Sequence, residues 1–174
     1  MGGLIHIYTG TGKGKTTAAT GMSVRFAGSG GKVLFTQFLK NDNSSELVIL
    51  EQIENIVFLP SNGYFGFTYT MTKEVRGNAI QHYNNYFTKI LDELSCNHYG
   101  LVVLDEIIAA DNAGLLEHNR IIGFLKDKPD NLEVVLTGRS PSQDLQDLAD
   151  YISDIVKVKH PFDKGIPARI GIEK

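Results

Sequence analysis

Apolar residues recur along this chain in two styles: short unbroken runs, and longer segments in which they return every third or fourth position. The runs at 4–8, 32–38, 56–59, 99–104 and 132–137 are rich in β-branched side chains and predict buried strands. A further run at 152–159 predicts a last strand, with Val156 and Val158 turned inward. The segments 18–27, 46–53, 72–94, 117–126 and 142–150 carry helical spacing. On the longest, Val75, Ala79, Tyr83, Tyr86, Phe87, Ile90, Leu91 and Leu94 would form the core-facing stripe. Strands alternating with helices predict an α/β fold, a mostly parallel sheet of about six strands covered on both faces.

Two stretches stand outside this alternation. Residues 61–70 hold Tyr64, Phe65, Phe67 and Tyr69 among glycines and polar residues, and predict a loop whose rings cover a core, a dimer interface or a ligand. Residues 107–113 read as a loop, in which Asp111 has no assigned place. The tail from His160 is expected to run over the sheet edge or over a site there.

Composition narrows the picture. The 174 residues predict one domain spanning 1–174, and a net charge of −3 without a long basic run argues against a nucleic-acid binder. Cys96 is the only cysteine, which excludes an internal disulfide and a structural zinc site built from several thiolates. No apolar run reaches the ~18 residues of a membrane span, so no membrane association is expected and the predicted compartment is the cytoplasm. His82 and His98 read as surface or satisfied polar residues, and no Ser–His or Cys–His pairing, protein nucleophile or general base is legible.

The chemistry concentrates between the first run and the first helix. Gly10, Thr11, Gly12, Lys13, Gly14, Lys15, Thr16 and Thr17 form a glycine-rich turn in strand–loop–helix context, the pattern of a phosphate-binding loop. Backbone N–H groups crowd around a triphosphate only where no Cβ intervenes, and a helix opening near Lys15 aims its N–H groups and dipole at the same anion. Lys15 would add a mobile charge and the Thr16 hydroxyl a Mg²⁺ ligand. The position five residues before Gly14 is Thr9, so the loop counted from Gly10 is one residue short of the general pattern. A second signal is the apolar run that ends in Asp105 and Glu106, carboxylates best explained by a metal ion or its waters beside the loop. Gln37, Lys40 and Arg139 follow strands at the ligand-binding edge, Arg139 serving equally as a surface ion pair or a phosphate contact.

The motifs taken together resemble the ATP:corrinoid adenosyltransferases of the P-loop type. They are Y-T-G at 8–10, G-K-G-K-T-T-A-A at 12–19, Q-F at 37–38, G-F-T at 66–68, V-V-L-D-E at 102–106, T-G-R at 137–139, L-A-D at 148–150 and G-I-E at 171–173. The resemblance implies a three-layer P-loop (RecA-like) fold, a homodimer and an electron donor protein such as a flavodoxin or reductase. It implies transfer of the 5′-deoxyadenosyl group of ATP to the Co(I) of a reduced corrinoid, cobalamin or a precursor, with release of triphosphate. Co(I) is then the nucleophile, so no protein nucleophile is required. By the same resemblance the nucleotide lies along the loop in the direction opposite to that in motor ATPases, exposing its 5′ carbon.

Carried onto this sequence, residues 10–17 hold the triphosphate, with Lys15, Thr16 and Glu106 stabilising the leaving group and Mg²⁺ held by Thr16, Asp105 and Glu106. Lys13, Arg25 and Arg139 are further phosphate or ribose contacts. Phe67 and Tyr69 take the places of the family's Phe and Trp against the corrinoid, where apolar rings displace the lower axial ligand and ease reduction to Co(I). The chain departs from the family at that Tyr69, at Asn41 after Lys40 and in 107–113, which lacks the usual aromatics. Two other readings use the same residues: a small-molecule kinase or ATPase, and a nucleotide-dependent corrinoid carrier.

Overall fold

The buried runs become the strands β1 (Ile5–Thr9), β2 (Val33–Gln37), β3 (Ile56–Leu59), β4 (Leu101–Asp105), β5 (Glu133–Thr137) and β6 (Tyr151–Asp154) of a computed structural model that describes residues 2–173. They form a single sheet in the order β3-β2-β4-β5-β1-β6, and every pairing in it is parallel. Successive residues of β4 face opposite layers: Val102 and Leu104 join one core, Leu101 and Val103 the other. Both layers need helices, because a strand apolar on two faces is stable only when both are covered.

Helices α1 (Lys15–Gly28) and α2 (Leu47–Leu50) supply one layer through Ala19, Ala27, Leu47 and Leu50. Helices α3 (Lys73–Cys96), α4 (Ile107–Asn112), α5 (His118–Asp127) and α6 (Gln143–Leu148) supply the other. The α3 stripe buries Ala79, Tyr83, Tyr86, Phe87 and Ile90, while Leu91 and Leu94 pack at its margin. Thr72 caps this helix, its side chain accepting from Val75 N.

Two expectations are corrected. Residues 107–113 are not a loop: Ile107, Ile108 and Ala110 are buried on α4, too short a helix to show a period in sequence. The last strand stops at Asp154, all four of its residues are exposed, and Val156 and Val158 are 63% and 87% exposed rather than turned inward. Alternation there satisfies backbone pairing to β1 and not a core. The tail continues past a short 3-10 turn at Pro161–Lys164 and is exposed throughout 161–172.

Because the sheet is parallel, its strands end on one edge; β6 ends in the exposed Asp154, and four others end in polar residues that the fold covers: Thr9, Gln37, Asp105 and Thr137. All four side chains are buried. The ligand-binding edge of an open α/β sheet is thus lined by groups that hydrogen-bond before any ligand arrives.

Candidate active site

Gly14 sets the geometry of the phosphate loop. Its φ of 122° lies where side chains are rarely tolerated, and it precedes α1 without any side-chain cap. The first N–H groups of α1 are therefore free to meet an anion, reinforced by the helix dipole. A Cβ on Gly14 would meet open space, so the backbone angle alone requires glycine here. Gly10 shares that left-handed backbone (φ 109°), and both it and Gly12 are needed for a further reason. A Cβ on Gly10 would strike Asp154 and Ile155, and one on Gly12 would lie 2.7 Å from Ile155 O. They let the chain leaving β6 cross the loop, where Gly12 N donates to Ile155 O (2.7 Å) and Lys157 N to Thr11 Oγ1 (3.2 Å).

Lys15 is 7% exposed, and its ammonium donates to Gly10 O (3.0 Å) and Gly12 O (2.9 Å). Burial lowers its pKa, as does the nearby Arg139, while Glu106 and Asp105 oppose them. Thr16 Oγ1 reaches across to Asp105, 3.0 Å from Oδ1 and 3.2 Å from Oδ2. Asp105 is completely buried yet fully engaged: it also accepts from Thr137 Oγ1 (2.7 Å), Lys40 Nζ (2.8 Å) and Gln37 Nε2 (3.3 Å). A buried carboxylate with this many donors is compensated by its hydrogen bonds and held rigid.

Glu106 differs from its neighbour. Its backbone is left-handed (φ 60°), its N–H donates to Thr137 Oγ1 (2.9 Å), and its carboxylate takes no hydrogen bond among the described residues. Burial and the Asp105 charge raise its pKa, against the pull of Lys40, Lys15 and Arg139. A strained, half-buried acid beside three cations is suited to a ligand and not to structure. The donors Thr16, Asp105 and Glu106 are hard oxygens at one strand edge, the chemistry Mg²⁺ accepts. Gln37 Oε1 adds a buried acceptor with no partner among the described residues.

Lys13, Lys15, Thr16, Glu106 and Arg139 share the wall of a cavity of about 260 Å³, closed on its other side by tail residues from His160 to Glu173. A second cavity of about 920 Å³ adjoins it, with Thr16, Thr17, Ile172 and Glu173 on both walls. Lys40, Tyr64 and Phe67 line the larger one.

The aromatic loop splits in role. Phe65 packs on the core against Tyr83 and His82, whereas Phe67 and Tyr69 stack on each other at 5.5 Å, 63% and 82% exposed. Tyr69 does not line either cavity. The loop is pinned to α3 by Ser61 Oγ and His82 Nε2 at 3.0 Å, a serine–histidine pair that sequence reading missed. It lies outside both cavities, and burial lowers the His82 pKa, so it acts as a neutral tether.

The remaining predicted residues are not gathered here. Arg25 sits in the last turn of α1, about 15 Å along the helix axis from Lys15 at 1.5 Å per residue, and lines neither cavity. Asp111 bonds His118 Nδ1 at 2.9 Å, linking α4 to α5. Gln37, Thr137 and Lys40 form the supporting network; the polar residue ending each apolar run is the signal that marks the first two.

The family model described as ATP:corrinoid adenosyltransferase BtuR/CobO/CobP matches residues 1–173. The chain is 34% identical to the corrinoid adenosyltransferase of Escherichia coli (strain K12), over 98% of this chain and 85% of that one. It is likewise 34% identical to the corrinoid adenosyltransferase CobA of Salmonella typhimurium, with the same coverage. For the corrinoid adenosyltransferase of a Sinorhizobium species the identity is 33%, over 98% and 80%. With a phosphate loop, an acidic strand tip and a full-length match in hand, the chain belongs to the ATP:corrinoid adenosyltransferase family.

Proposed function

We propose that this chain, acting as one domain over 1–174, transfers the 5′-deoxyadenosyl group of ATP to the Co(I) centre of a reduced corrinoid. The observation that carries the reading is the junction of two cavities at Thr16 and Thr17: one of about 260 Å³ carrying Lys13, Lys15 and Arg139, the other of about 920 Å³ and partly aromatic. In the reaction the cobalt electron pair forms a Co–C5′ bond, the C5′–O bond breaks, and its electron pair leaves on the triphosphate. No proton needs to move at the reacting carbon, which fits a site whose Ser–His pair lies elsewhere.

The protein's own contribution is positioning and charge. Lys15, Lys13 and Arg139 would neutralise the departing triphosphate, and the α1 N-terminus would bind it. Thr16, Asp105 and Glu106 would hold Mg²⁺, which when bound supplies further charge to the leaving group. Phe67 with Tyr64 would present apolar surface to the corrinoid, and Tyr69, stacked on Phe67, would stiffen it.

A homodimer is part of this reading, supported by an unpaired edge strand, β6, with Tyr151 and Ile152 about half exposed. A reducing, cytoplasmic setting is supported by the exposed free thiol of Cys96. No helix among the described residues is long and apolar enough to cross a membrane. Co(I) must be generated by an electron donor, a flavodoxin-like or reductase protein in this reading. Incubating the protein with Mg-ATP and chemically reduced cobalamin should give a photolabile cobalt–carbon product and triphosphate. ADP or orthophosphate as the product would favour a kinase or ATPase, and unaltered corrinoid held by the protein would favour a carrier.

A further inference from the structure

Lys40 occupies a place that the metal reading also claims. Its ammonium lies 2.8 Å from Asp105 Oδ2 and 3.3 Å from Thr16 Oγ1, so it bridges the two oxygens that would receive a divalent cation. The position is enforced: Leu39, the residue before it, adopts a left-handed φ of 58°, unfavourable for a bulky side chain, and turns the chain back onto the sheet edge. Mg²⁺ holds its ligands at about 2.0–2.1 Å, so an ion on either oxygen would sit within a few ångströms of this ammonium, and their repulsion disfavours holding both at once.

A second acceptor is already in place. Glu46 Oε1 is 3.6 Å from Lys40 Nζ. The Gln37 amide nitrogen bonds Glu46 Oε1 (2.9 Å) and Asp105 Oδ2 (3.3 Å), holding both carboxylates in register at the end of β2. Lys40 and Glu46 both line the larger cavity, and Asp105 does not.

We propose that Lys40 is a resident counter-cation of the Thr16–Asp105 pair, displaced onto Glu46 when a divalent cation enters. The displacement keeps the buried Asp105 charge compensated at every stage, and it leaves a positive charge on the wall of the larger cavity, which Lys40 and Glu46 both line. The inference rests on Thr16 and Asp105 being the divalent-cation site.

The test uses Mn²⁺ as probe, followed by electron paramagnetic resonance of the free ion, with the full chain in the absence of nucleotide. Lys40→Met is expected to bind Mn²⁺ about tenfold or more tighter than wild type, because the competing charge is gone. Its melting temperature should be several degrees below wild type in chelator, since Asp105 loses its cation, and Mn²⁺ should recover most of that loss. Glu46→Gln should bind Mn²⁺ more weakly than wild type, because the displaced ammonium loses its receiver. Unchanged or weaker Mn²⁺ binding by Lys40→Met, with Mn²⁺-ATP binding to wild type intact, would overturn the role of Lys40 alone. Failure of wild type to retain Mn²⁺ even with ATP would overturn the metal reading and this inference together.

Discussion

Thr16 and Asp105 are 89 residues apart in sequence, and the Thr16 hydroxyl lies 3.0 Å and 3.2 Å from the two oxygens of the Asp105 carboxylate. This contact ties the first turn of α1 to the end of β4, with β5 lying between β4 and β1 in the sheet. It fixes the phosphate loop against the acidic strand tip.

Lys15→Ala should remove transition-state charge neutralisation without disturbing the core. Turnover should fall by about 10²–10³-fold, the loss typical of deleting one electrostatic contact to a developing charge. The melting temperature should change little, because the ammonium bonds only loop carbonyls. Steady-state kinetics beside a thermal melt checks both halves.

Asp105→Ala should act chiefly on stability. It strands the Thr16 and Thr137 hydroxyls and leaves Lys40 and Gln37 with Glu46 alone of their two carboxylate partners. Breaking such a buried network by removing one partner costs about 3–5 kcal/mol, readable by denaturant titration. A loss below about 1 kcal/mol would mean the network is not a structural unit.

Phe67→Ala should separate the two substrates. The ring is 63% exposed and lines only the larger cavity, so ATP affinity and melting temperature should be nearly unchanged while reduction of bound cob(II)alamin slows. Equal loss of ATP binding and of corrinoid reduction would make the loop merely structural.

A pH dependence of stability follows from His118. The Asp111 hydrogen bond, with help from Asp144, raises its pKa above the ordinary value despite some burial. A group whose folded pKa exceeds its unfolded one stabilises fully below the unfolded value, about 6.5, and loses that contribution as pH rises through the folded value. His118→Ala should therefore lower the melting temperature more at about pH 5.5 than at about pH 8.5. The difference should be modest, since the side chain is 32% exposed and its ion pairs are screened.

Much of this was legible in the chain, and the failures share one cause. Runs and periods are local, so they located the six strands, the long α3 and the glycine turn. Lys15, Thr16, Glu106 and Arg139 came together because each sits at the end of a predicted strand or the start of a predicted helix, and a parallel sheet brings such ends to one edge. What local patterns miss is tertiary. The short α4 buries its apolar residues without a readable repeat, and Val156 and Val158 alternate as in a strand while facing solvent. Arg25 follows the loop closely in sequence, yet the rise of α1 carries it away. Lys40 was placed at the right edge, but its bond to Asp105 spans 65 residues and only the fold reveals it.

The central claim is that the bond broken in ATP is the one between the 5′ carbon and its oxygen. ATP carrying oxygen-18 at that bridging position, turned over with reduced cobalamin and analysed by mass spectrometry, tests it directly. Recovery of the label in triphosphate, with an unlabelled adenosyl group on cobalt, is the predicted result. Label retained on a nucleoside phosphate, with phosphate released from the other end, would contradict it.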